Sequence, residues 1–392
     1  MPYDFDHIID RRHTDSEKWR AYGPDVLALW VADMDFTAPE PVIRALHERV
    51  EHGIFGYGGE PPELREILIA RLQERYAWSV PAEAIIFVPG LVVGLNVATR
   101  AAARPGDGAL VQTPVYRPII DAPGSAGQVL QPMALTRQAN NCYTIDLEQM
   151  AAAITDRTRT FTLCNPHNPV GRVFTREELA AMAELCLRHD LTVISDEIHC
   201  DLLFSGAQHL PIAALSPELA ARTITLMAPS KTFNIAGLYC SAAIIPDPEL
   251  RRRFKAVAKG IVPSVNLMAF AAALAAYRDG GPWLTECLRY LEDNRDYLMH
   301  YVTENLPGVS MSPMEGTYLA WLDCREARIT GAPAEFFLKQ ARVGLNDGAW
   351  FGNGGEGFVR LNFGCPRATL TEALERMAGA LEARNWKLTT EN

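Results

Sequence analysis

The chain lacks the cysteine spacing that a zinc ribbon or a thioredoxin-like redox motif requires. Its eight cysteines, at positions 142, 164, 186, 200, 240, 287, 324 and 365, include no CxxC pair, which disfavours both kinds of site. Asp196, His199 and Cys200 are close in sequence, but they do not have a familiar metal-ligand spacing. We therefore expect reduced thiols and no metal centre.

Positive charge and long apolar runs are also scarce. The 392 residues include 37 Lys and Arg against 47 Asp and Glu, a formal net charge of −10, so the basic surface of a nucleic-acid-binding protein is not expected. No apolar run approaches the roughly 20 residues that cross a bilayer. The first residues, MPYDFDHIIDRRHTDSEKW, are too polar for a signal peptide. We expect a cytoplasmic protein with neither nucleic-acid nor membrane partners.

Six short apolar runs are typical of strands buried in a mostly parallel sheet. Each is nearly continuous rather than alternating, as expected when both faces of a strand are covered. The runs are 84–88, 109–113, 160–164, 191–195, 223–227 and 241–245. A helical pattern at 175–189, with capping-box spacing at Thr175 and Glu178, lies between two of them. The pattern predicts an α/β fold, and the short connection before 241–245 predicts that this last strand is antiparallel.

The pattern changes after residue 280. A long helical stretch covers 282–305, and it is followed by strand-like runs and helices at 317–322, 333–341, 357–362 and 369–384. This alternation predicts a smaller α+β domain. We divide the chain into a large domain, 46–285, and a small domain that combines 286–392 with the N-terminal segment 1–45.

Polar and aromatic residues follow the ends of the predicted strands. In chain order they are Gly90, Tyr116, Asn168, Asp196 and Lys231. Ligands of open α/β sheets bind beyond the carboxyl ends of the strands, so we expect these residues to converge. Taken singly, Asp196 could be a helix cap or turn residue, and Lys231 could be a solvated lysine.

A pyridoxal 5′-phosphate (PLP) site needs this combination of side chains. A lysine bonds the cofactor aldehyde, a carboxylate keeps the ring nitrogen protonated so that the ring accepts electrons, and an aromatic side chain stacks on the ring. Backbone N–H groups at a helix start hold the phosphate. We therefore predict PLP as the cofactor. The string Ser-Lys-Thr at 230–232 does not complete a P-loop, because position 226 is Leu where that motif requires glycine.

Longer motifs connect the chain to a known family. They are WVADMDF at 30–36, NPHNPVGRVF at 165–174, SDEIHCDLLF at 195–204, SKTFNIAGL at 230–238, EGTYLAWLDC at 315–324 and NDGAWFGNGGEGFVRLNFGCPR at 346–367. In these motifs the chain resembles the fold-type I PLP-dependent enzymes of the class I/II aminotransferase superfamily. Within that superfamily it is most similar to the MalY/PatB-like cystathionine β-lyases, and the resemblance implies the fold-type I architecture.

The resemblance implies how the cofactor ring is held. Lys231 corresponds to the lysine that bonds the aldehyde, Asp196 to the partner of the ring nitrogen, and Tyr116 to the aromatic residue that stacks on the ring. Asn168 and His199 correspond to the residues that bond the phenolic oxygen.

Contacts to the phosphate are implied in the same way. Gly90, Leu91 and Val92 open the helix whose amides face the phosphate, and Ser230 adds a hydroxyl. Tyr57 is expected to reach the phosphate region of a neighbouring subunit, which implies a homodimer with its active site at the subunit interface.

The substrate is implied to be a small amino acid. Arg360 is expected to bind its α-carboxylate bidentately, with Asp33 and Tyr116 also lining the substrate site. Tyr239 stands where aspartate-aminotransferase-like enzymes carry a phosphate-binding arginine, as expected of a different branch.

The implied reaction is α,β-elimination. Lys231 removes the α-proton of cystathionine or another S-substituted L-cysteine, and a thiol, pyruvate and ammonia are formed. Two alternatives stay open at this stage. The same residues could support an aminotransferase of a small amino acid, or the lyase could have a secondary regulatory role through protein binding.

Overall fold

The structure, a computed structural model, describes residues 3–390. A seven-stranded sheet lies at its centre. From one edge to the other, the strands are Ile85–Val88, Ser241–Ile244, Thr223–Met227, Thr192–Asp196, Thr158–Cys164, Gly108–Thr113 and Val129–Ala134. All except Ser241–Ile244 run in the same direction. The predicted α/β fold with a mostly parallel sheet is confirmed, and so is the antiparallel last strand.

The strand Val129–Ala134 was not predicted from the sequence. It forms one edge of the sheet, and most of its residues are at least partly exposed. It contains Pro132, which a sheet tolerates at an edge because no neighbour needs the missing N–H group. A half-exposed edge strand does not produce the continuous apolar run that identified the other strands.

Successive side chains of the central strands enter different apolar clusters. Leu110 and Val193 pack in one cluster, whereas Val111 and Ile194, the next residues, pack in another. Neighbouring side chains of a strand point to opposite faces of a sheet. Both faces are therefore covered, which explains the continuous apolar runs in the sequence.

Helices connect and cover the strands. Within the described chain, the α-helices are Glu17–Arg20, Glu40–Glu51, Pro62–Tyr76, Leu91–Ala102, Arg117–Ser125, Leu147–Ala153, Arg176–Arg188, Pro217–Ala220, Pro229–Thr232, Pro248–Ala258, Leu267–Asp279, Gly281–Asn305, Pro333–Phe336 and Arg367–Thr390. The predicted capping box is present: the Glu178 N–H donates to Thr175 Oγ1 at 3.2 Å, and the Thr175 N–H donates to a Glu178 carboxylate oxygen at 2.8 Å.

A second sheet is formed late in the chain. Its four antiparallel strands are, in spatial order, Ser310–Met311, Leu319–Asp323, Phe358–Asn362 and Asn346–Asp347. The N-terminal strand Leu27–Ala28 pairs in parallel with Val343–Gly344, and a hairpin joins Thr136–Arg137 to Tyr143–Thr144. The N-terminal residues Leu29 and Phe36 belong to the same apolar cluster as Leu319 and Leu361.

Residues 3–390 lack membrane-spanning helices, clusters of metal ligands and disulfide bonds. Across these residues, no helix combines the length and apolarity needed to cross a membrane. In the same part of the chain, His, Cys, Asp and Glu side chains form no group of three or more that could hold a metal ion. The eight cysteines, all within this range, are unpaired.

Candidate active site

The predicted residues meet at the carboxyl edge of the central sheet. Asp196 is the last residue of its strand, and Lys231 lies in the short helix Pro229–Thr232 that follows the adjacent strand. The Tyr116 N–H donates to the carbonyl of Asn168 at 3.1 Å. A guanidinium N–H of Arg360 donates to the side-chain oxygen of Asn168, also at 3.1 Å.

Lys231 is held as a partly buried amine. Its Nζ donates to the backbone carbonyl of Ala32 at 2.6 Å. Burial lowers the pKa of Lys231 to about 8; Arg360 lowers it further, while Asp33 and Asp196 act in the opposite direction. A larger fraction of the amine is therefore neutral near physiological pH than for an exposed lysine, as a general base requires.

Asp196 is a buried carboxyl group that forms no salt bridge with the residues the structure describes. It is 2% exposed, and its Oδ1 accepts one hydrogen bond from the Ile198 N–H at 3.2 Å. Burial raises the pKa of Asp196 to about 7, and the charge of Glu197 adds to this effect. A protonated ring nitrogen beside this carboxyl group would favour its ionised form.

His199 presents a buried nitrogen that is free to bond a ligand. The residue is 2% exposed, and its Nδ1 has no hydrogen-bond partner among the residues the structure describes. Burial lowers the pKa of His199 to about 3, and the charges of Lys231 and Arg360 lower it further. The ring of Tyr318 packs edge-on against it at a centroid distance of 6.2 Å. The imidazole is therefore neutral, and it can bond one polar atom of a ligand.

Arg360 is a buried guanidinium whose hydrogen-bond partners among the described residues are all neutral. Its Nη1 donates to Asn168, and its Nη2 donates to the carbonyl of Trp30 at 2.8 Å and to Oδ1 of Asn346 at 2.5 Å. Its Nε has no hydrogen-bond partner within the described part of the chain. Burial lowers the pKa of Arg360 to about 10. A carboxylate that enters the site would supply the negative charge that this cation lacks.

The start of the helix Leu91–Ala102 forms a cradle for an anion. Gly90 precedes it with φ +105°, and no side chain of the described residues caps the helix. A Cβ atom at Gly90 would lie 3.0 Å from the Tyr239 ring, so this position requires glycine. The first N–H groups, including those of Leu91 and Val92, are left for a ligand. Ser230 is partly buried in the helix that carries Lys231.

Tyr57 is far more exposed than the other predicted residues. Its side chain is fully exposed, and the neighbouring Ile54 and Phe55 are also exposed. A single copy of the chain therefore gives Tyr57 no burial comparable to that of Asp196 or His199.

Asp33 lies in an N-terminal segment, 31–36, that is bound tightly over the site. Its carboxylate accepts from Arg11 at 2.6 Å, while its Oδ1 has no hydrogen bond among the described residues. Asn362 Nδ2 donates to the carbonyls of Val31 and Asp33 at 2.6 and 2.7 Å. These contacts fix the Ala32 carbonyl where it accepts the hydrogen bond from Lys231.

Comparison with known proteins identifies the family of this chain. Residues 24–377 match the family described as Aminotransferase class I and II. The chain belongs to this family. It is 42% identical to cystathionine beta-lyase PatB of Bacillus subtilis (strain 168), over 96% of this chain and 99% of PatB. The resemblance inferred from the motifs is confirmed.

Solved structures of the family have the same fold. The crystal structure of OvoB is 46% identical and superimposes with a TM-score of 0.93, covering 97% of this chain and 99% of OvoB. Cystalysin from Treponema denticola, whose crystal structure contains PLP, is 33% identical with a TM-score of 0.93, covering 98% of this chain and 100% of cystalysin. The predicted fold-type I architecture is therefore confirmed.

The residues of this family member fit PLP on three structural observations. The uncapped helix after Gly90 suits a phosphate, and the unpartnered Nδ1 of His199 suits a polar substituent of the ring. Asp196 is a buried carboxyl group suited to a protonated ring nitrogen. Lys231, whose lowered pKa favours the nucleophilic amine, stands beside them.

Three features of the site were not predicted from the sequence. Tyr318 donates its hydroxyl to Ala32 at 2.9 Å, and Asn362 binds the carbonyls on either side of Ala32. Trp350, which is partly exposed, packs edge-on against Tyr116 at 5.9 Å. Tyr318, Asn362 and Trp350 all lie in the motifs that identified the family, but those strings do not indicate contacts with residues hundreds of positions away.

Proposed function

We propose that the protein is a PLP-dependent C–S β-lyase. It cleaves cystathionine or another S-substituted L-cysteine, with one water molecule, to a thiol, pyruvate and ammonia. The observation that carries this proposal is Lys231, a partly buried amine with a lowered pKa, together with the guanidinium of Arg360, whose hydrogen-bond partners among the described residues are neutral. The name of PatB, cystathionine beta-lyase, supports the choice of reaction within the family.

Each proposed role follows from the contacts of the residue. Arg360 binds the α-carboxylate and so orients the α-hydrogen towards Lys231, whose Nζ removes it as a proton. Asp196 holds a proton at the ring nitrogen, and Tyr116 packs against the ring. When bound, PLP supplies an electron-accepting ring that stabilises the negative charge left at the α-carbon.

The remaining cofactor contacts are proposed on the same basis. Asn168 and His199 bond the phenolic oxygen. Arg360 fixes the side chain of Asn168, and the buried Nδ1 of His199 has no hydrogen-bond partner among the described residues. The N–H groups after Gly90 and the hydroxyl of Ser230 bind the phosphate. Asp33, which keeps an oxygen without a hydrogen bond in the described structure, lines the substrate site.

We also propose a homodimer in which Tyr57 completes the phosphate site of the partner subunit. The exposed apolar side chains of Val50, Ile54 and Phe55 around it support this, because such patches are commonly buried at interfaces. Sedimentation of the purified protein tests the proposal. One chain has a mass of 43.3 kDa, and a species of twice that mass is expected. A stable monomer that binds PLP fully would contradict it.

The location and domain organisation belong to the same proposal. We place the protein in the cytoplasm, in keeping with its unpaired cysteines. We divide it into a large domain, 46–285, and a small domain of 1–45 and 286–392. The pairing of Leu27–Ala28 with Val343–Gly344 supports grouping the two ends of the chain.

One experiment separates the lyase from the aminotransferase. The purified protein is incubated with PLP and either cystathionine or an S-alkyl-L-cysteine, without a keto acid, and thiol and pyruvate are measured. Release of both supports the lyase. Turnover that requires an added keto acid would establish the aminotransferase instead, and a protein that binds no PLP would exclude both.

A further inference from the structure

A second buried carboxylate follows Asp196 in the chain. Glu197, the next residue, is 0% exposed, and its backbone N–H donates to Leu226 of the neighbouring strand at 2.9 Å. The direct contacts assigned above to the cofactor and substrate do not involve Glu197. A fully buried acidic side chain is uncommon unless its charge is compensated by hydrogen bonds or a partner.

Both oxygens of Glu197 accept hydrogen bonds. Ser195 Oγ donates to Oε1 at 2.8 Å, and His209 Nε2 donates to Oε2 at 2.8 Å. A carboxylate that only accepts hydrogen bonds is ionised. These two donors therefore hold a negative charge in the interior, one residue away from Asp196.

The contacts of Asn165 explain why His209 donates through Nε2. Asn165 Oδ1 accepts the N–H of Phe174 at 3.0 Å, so its amide nitrogen faces His209 Nδ1 at 3.5 Å. Nδ1 is thus placed against a donor, which puts the ring hydrogen on Nε2. The Asn165 backbone N–H also donates to the carbonyl of Asp196 at 3.0 Å, so the network that fixes Glu197 also holds Asp196.

We propose that Glu197 is a positioning residue that acts through Asp196, and that its buried negative charge favours a proton between Asp196 and the ring nitrogen of the cofactor. This inference rests on the proposed PLP-dependent function. A negative charge close to a carboxylate makes proton release from that site less favourable. Glu197 thereby strengthens the protonation that Asp196 maintains, without touching the cofactor.

The other titratable groups around the two carboxylates leave this effect in place. They face the pair and its hydrogen-bond partners from several elements and include Tyr76, Tyr116, Cys164, Cys200, His209 and Lys231. Burial raises the pKa of Tyr116, Cys164 and Cys200, so these groups stay neutral over the working range. Lys231 carries positive charge towards Asp196 and acts against Glu197.

The test compares two ligands of the apoprotein. One is PLP, and the other is a PLP analogue with carbon in place of the ring nitrogen, which has no proton to hold there. Affinities are measured by equilibrium dialysis for the wild type and for Glu197→Gln, which removes the charge with little change in shape. We expect Glu197→Gln to bind PLP about tenfold more weakly, because a tenfold weaker hold on the proton at the ring nitrogen lowers the affinity for the protonated cofactor by the same factor. The variant should bind the analogue as the wild type does.

The pH dependence provides a second readout. At acidic pH the ring nitrogen is protonated in both proteins, so their affinities for PLP should converge. As pH rises, the variant loses the proton first, and the difference should grow. Equal losses of affinity for PLP and for the analogue would indicate a structural role and overturn the proposal, as would an unchanged affinity for both.

Two further variants keep the test decisive. Ser195→Ala removes one donor but keeps the charge, so it should retain the preference for PLP over the analogue. Glu197→Asp also keeps the charge, and it serves if Glu197→Gln does not fold; loss of the preference in that variant would refute the inference. Failure of the proposed function is distinguishable, because a wild-type protein would then bind no PLP or release no thiol.

Discussion

Lys231 and Tyr318 donate hydrogen bonds to the same acceptor, the backbone carbonyl of Ala32, at 2.6 and 2.9 Å. The two side chains come from different parts of the chain, one after a strand of the central sheet and the other before a strand of the second sheet. Because they share this carbonyl, the position of the Lys231 amine depends on both sheets.

Tyr318→Phe should strengthen the hydrogen bond from Lys231 to the Ala32 carbonyl. Without the competing hydroxyl, the carbonyl is a better acceptor for the ammonium form, so the pKa of Lys231 should rise. The alkaline shift appears as a displacement of the rising limb of the pH–rate profile for thiol release. An unshifted profile, in a variant that unfolds at the wild-type temperature, would contradict the proposed coupling.

Lys231→Ala should abolish most of the turnover. Loss of a general base typically costs about 10²–10⁴-fold in rate. In the wild type, turnover should rise as pH increases through about 8, since burial lowers the pKa of Lys231 to about 8 and the neutral amine is the base. Lys255→Ala, at an exposed position of the helix Pro248–Ala258, is the control. Both variants are assayed for thiol and pyruvate.

Arg360→Lys should weaken substrate binding although the positive charge is kept. A lysine does not present the planar fork of donors, and losing one charge-assisted hydrogen bond costs about 1.5–3 kcal/mol. We expect kcat/KM to fall about 10–10²-fold, mainly through KM. Arg325→Lys, which changes a half-exposed arginine paired with Asp323, is the matched control. Equal kinetics for the two variants would exclude the proposed role of Arg360.

Asp196 should make the stability of the apoprotein depend on pH. Burial raises its pKa from 3.8 to about 7. Between these values the folded protein keeps a proton that the unfolded chain has released, so the free energy of unfolding falls as pH rises. The contribution is full below the lower value and lost above about 7. Urea unfolding of wild type and Asp196→Asn at several pH values measures it; a constant difference between the two proteins would be inconsistent with the raised pKa.

Lys18→Met should destabilise the N-terminal segment. The ammonium group of Lys18, 1% exposed, donates to Asp35 at 2.7 Å and to the carbonyl of Asp33 at 3.2 Å. Removing one partner from a buried ion pair typically costs about 3–5 kcal/mol. Arg11 still donates to Asp35 at 2.6 Å, which places the expected loss near the lower end. Urea unfolding gives the change in free energy.

A surface ion pair is the control for this substitution. Arg44 pairs with Glu40 one helical turn away, with more than half of each side chain exposed. Arg44→Ala should cost no more than about 0.5 kcal/mol. If Lys18→Met cost no more than this control, the buried cluster would not contribute to stability.

The sequence predicted elements whose signal is local. The continuous runs at 109–113 and 223–227 became strands because their residues pack against apolar clusters on both faces of the sheet. The capping box at Thr175 formed because its two partners lie within one helical turn. The edge strand Val129–Ala134 gave no such signal, since most of its residues remain at least partly exposed.

For the site, strand ends predicted the meeting of Asp196 with Lys231, because parallel strands bring their carboxyl ends together. The contacts of Tyr318 and of the pair formed by Glu197 and His209 were not foreseen. These contacts depend on how loops and the second sheet pack over the first, and neither periodicity nor spacing encodes that. The family motifs contained Tyr318 and Glu197, but a motif does not show which residues of other segments these side chains contact.

Residues 27–36 form part of the site and are fixed in place by later parts of the chain. Leu27–Ala28 is joined to Val343–Gly344, and Asn234 binds Met34 through both its amide oxygen and its amide nitrogen. A truncated protein that began after Phe36 would therefore retain Lys231 and Asp196 but leave the lysine without its acceptor. Shortening the chain for expression or crystallisation from this end would change the chemistry of the protein before it changed the central sheet.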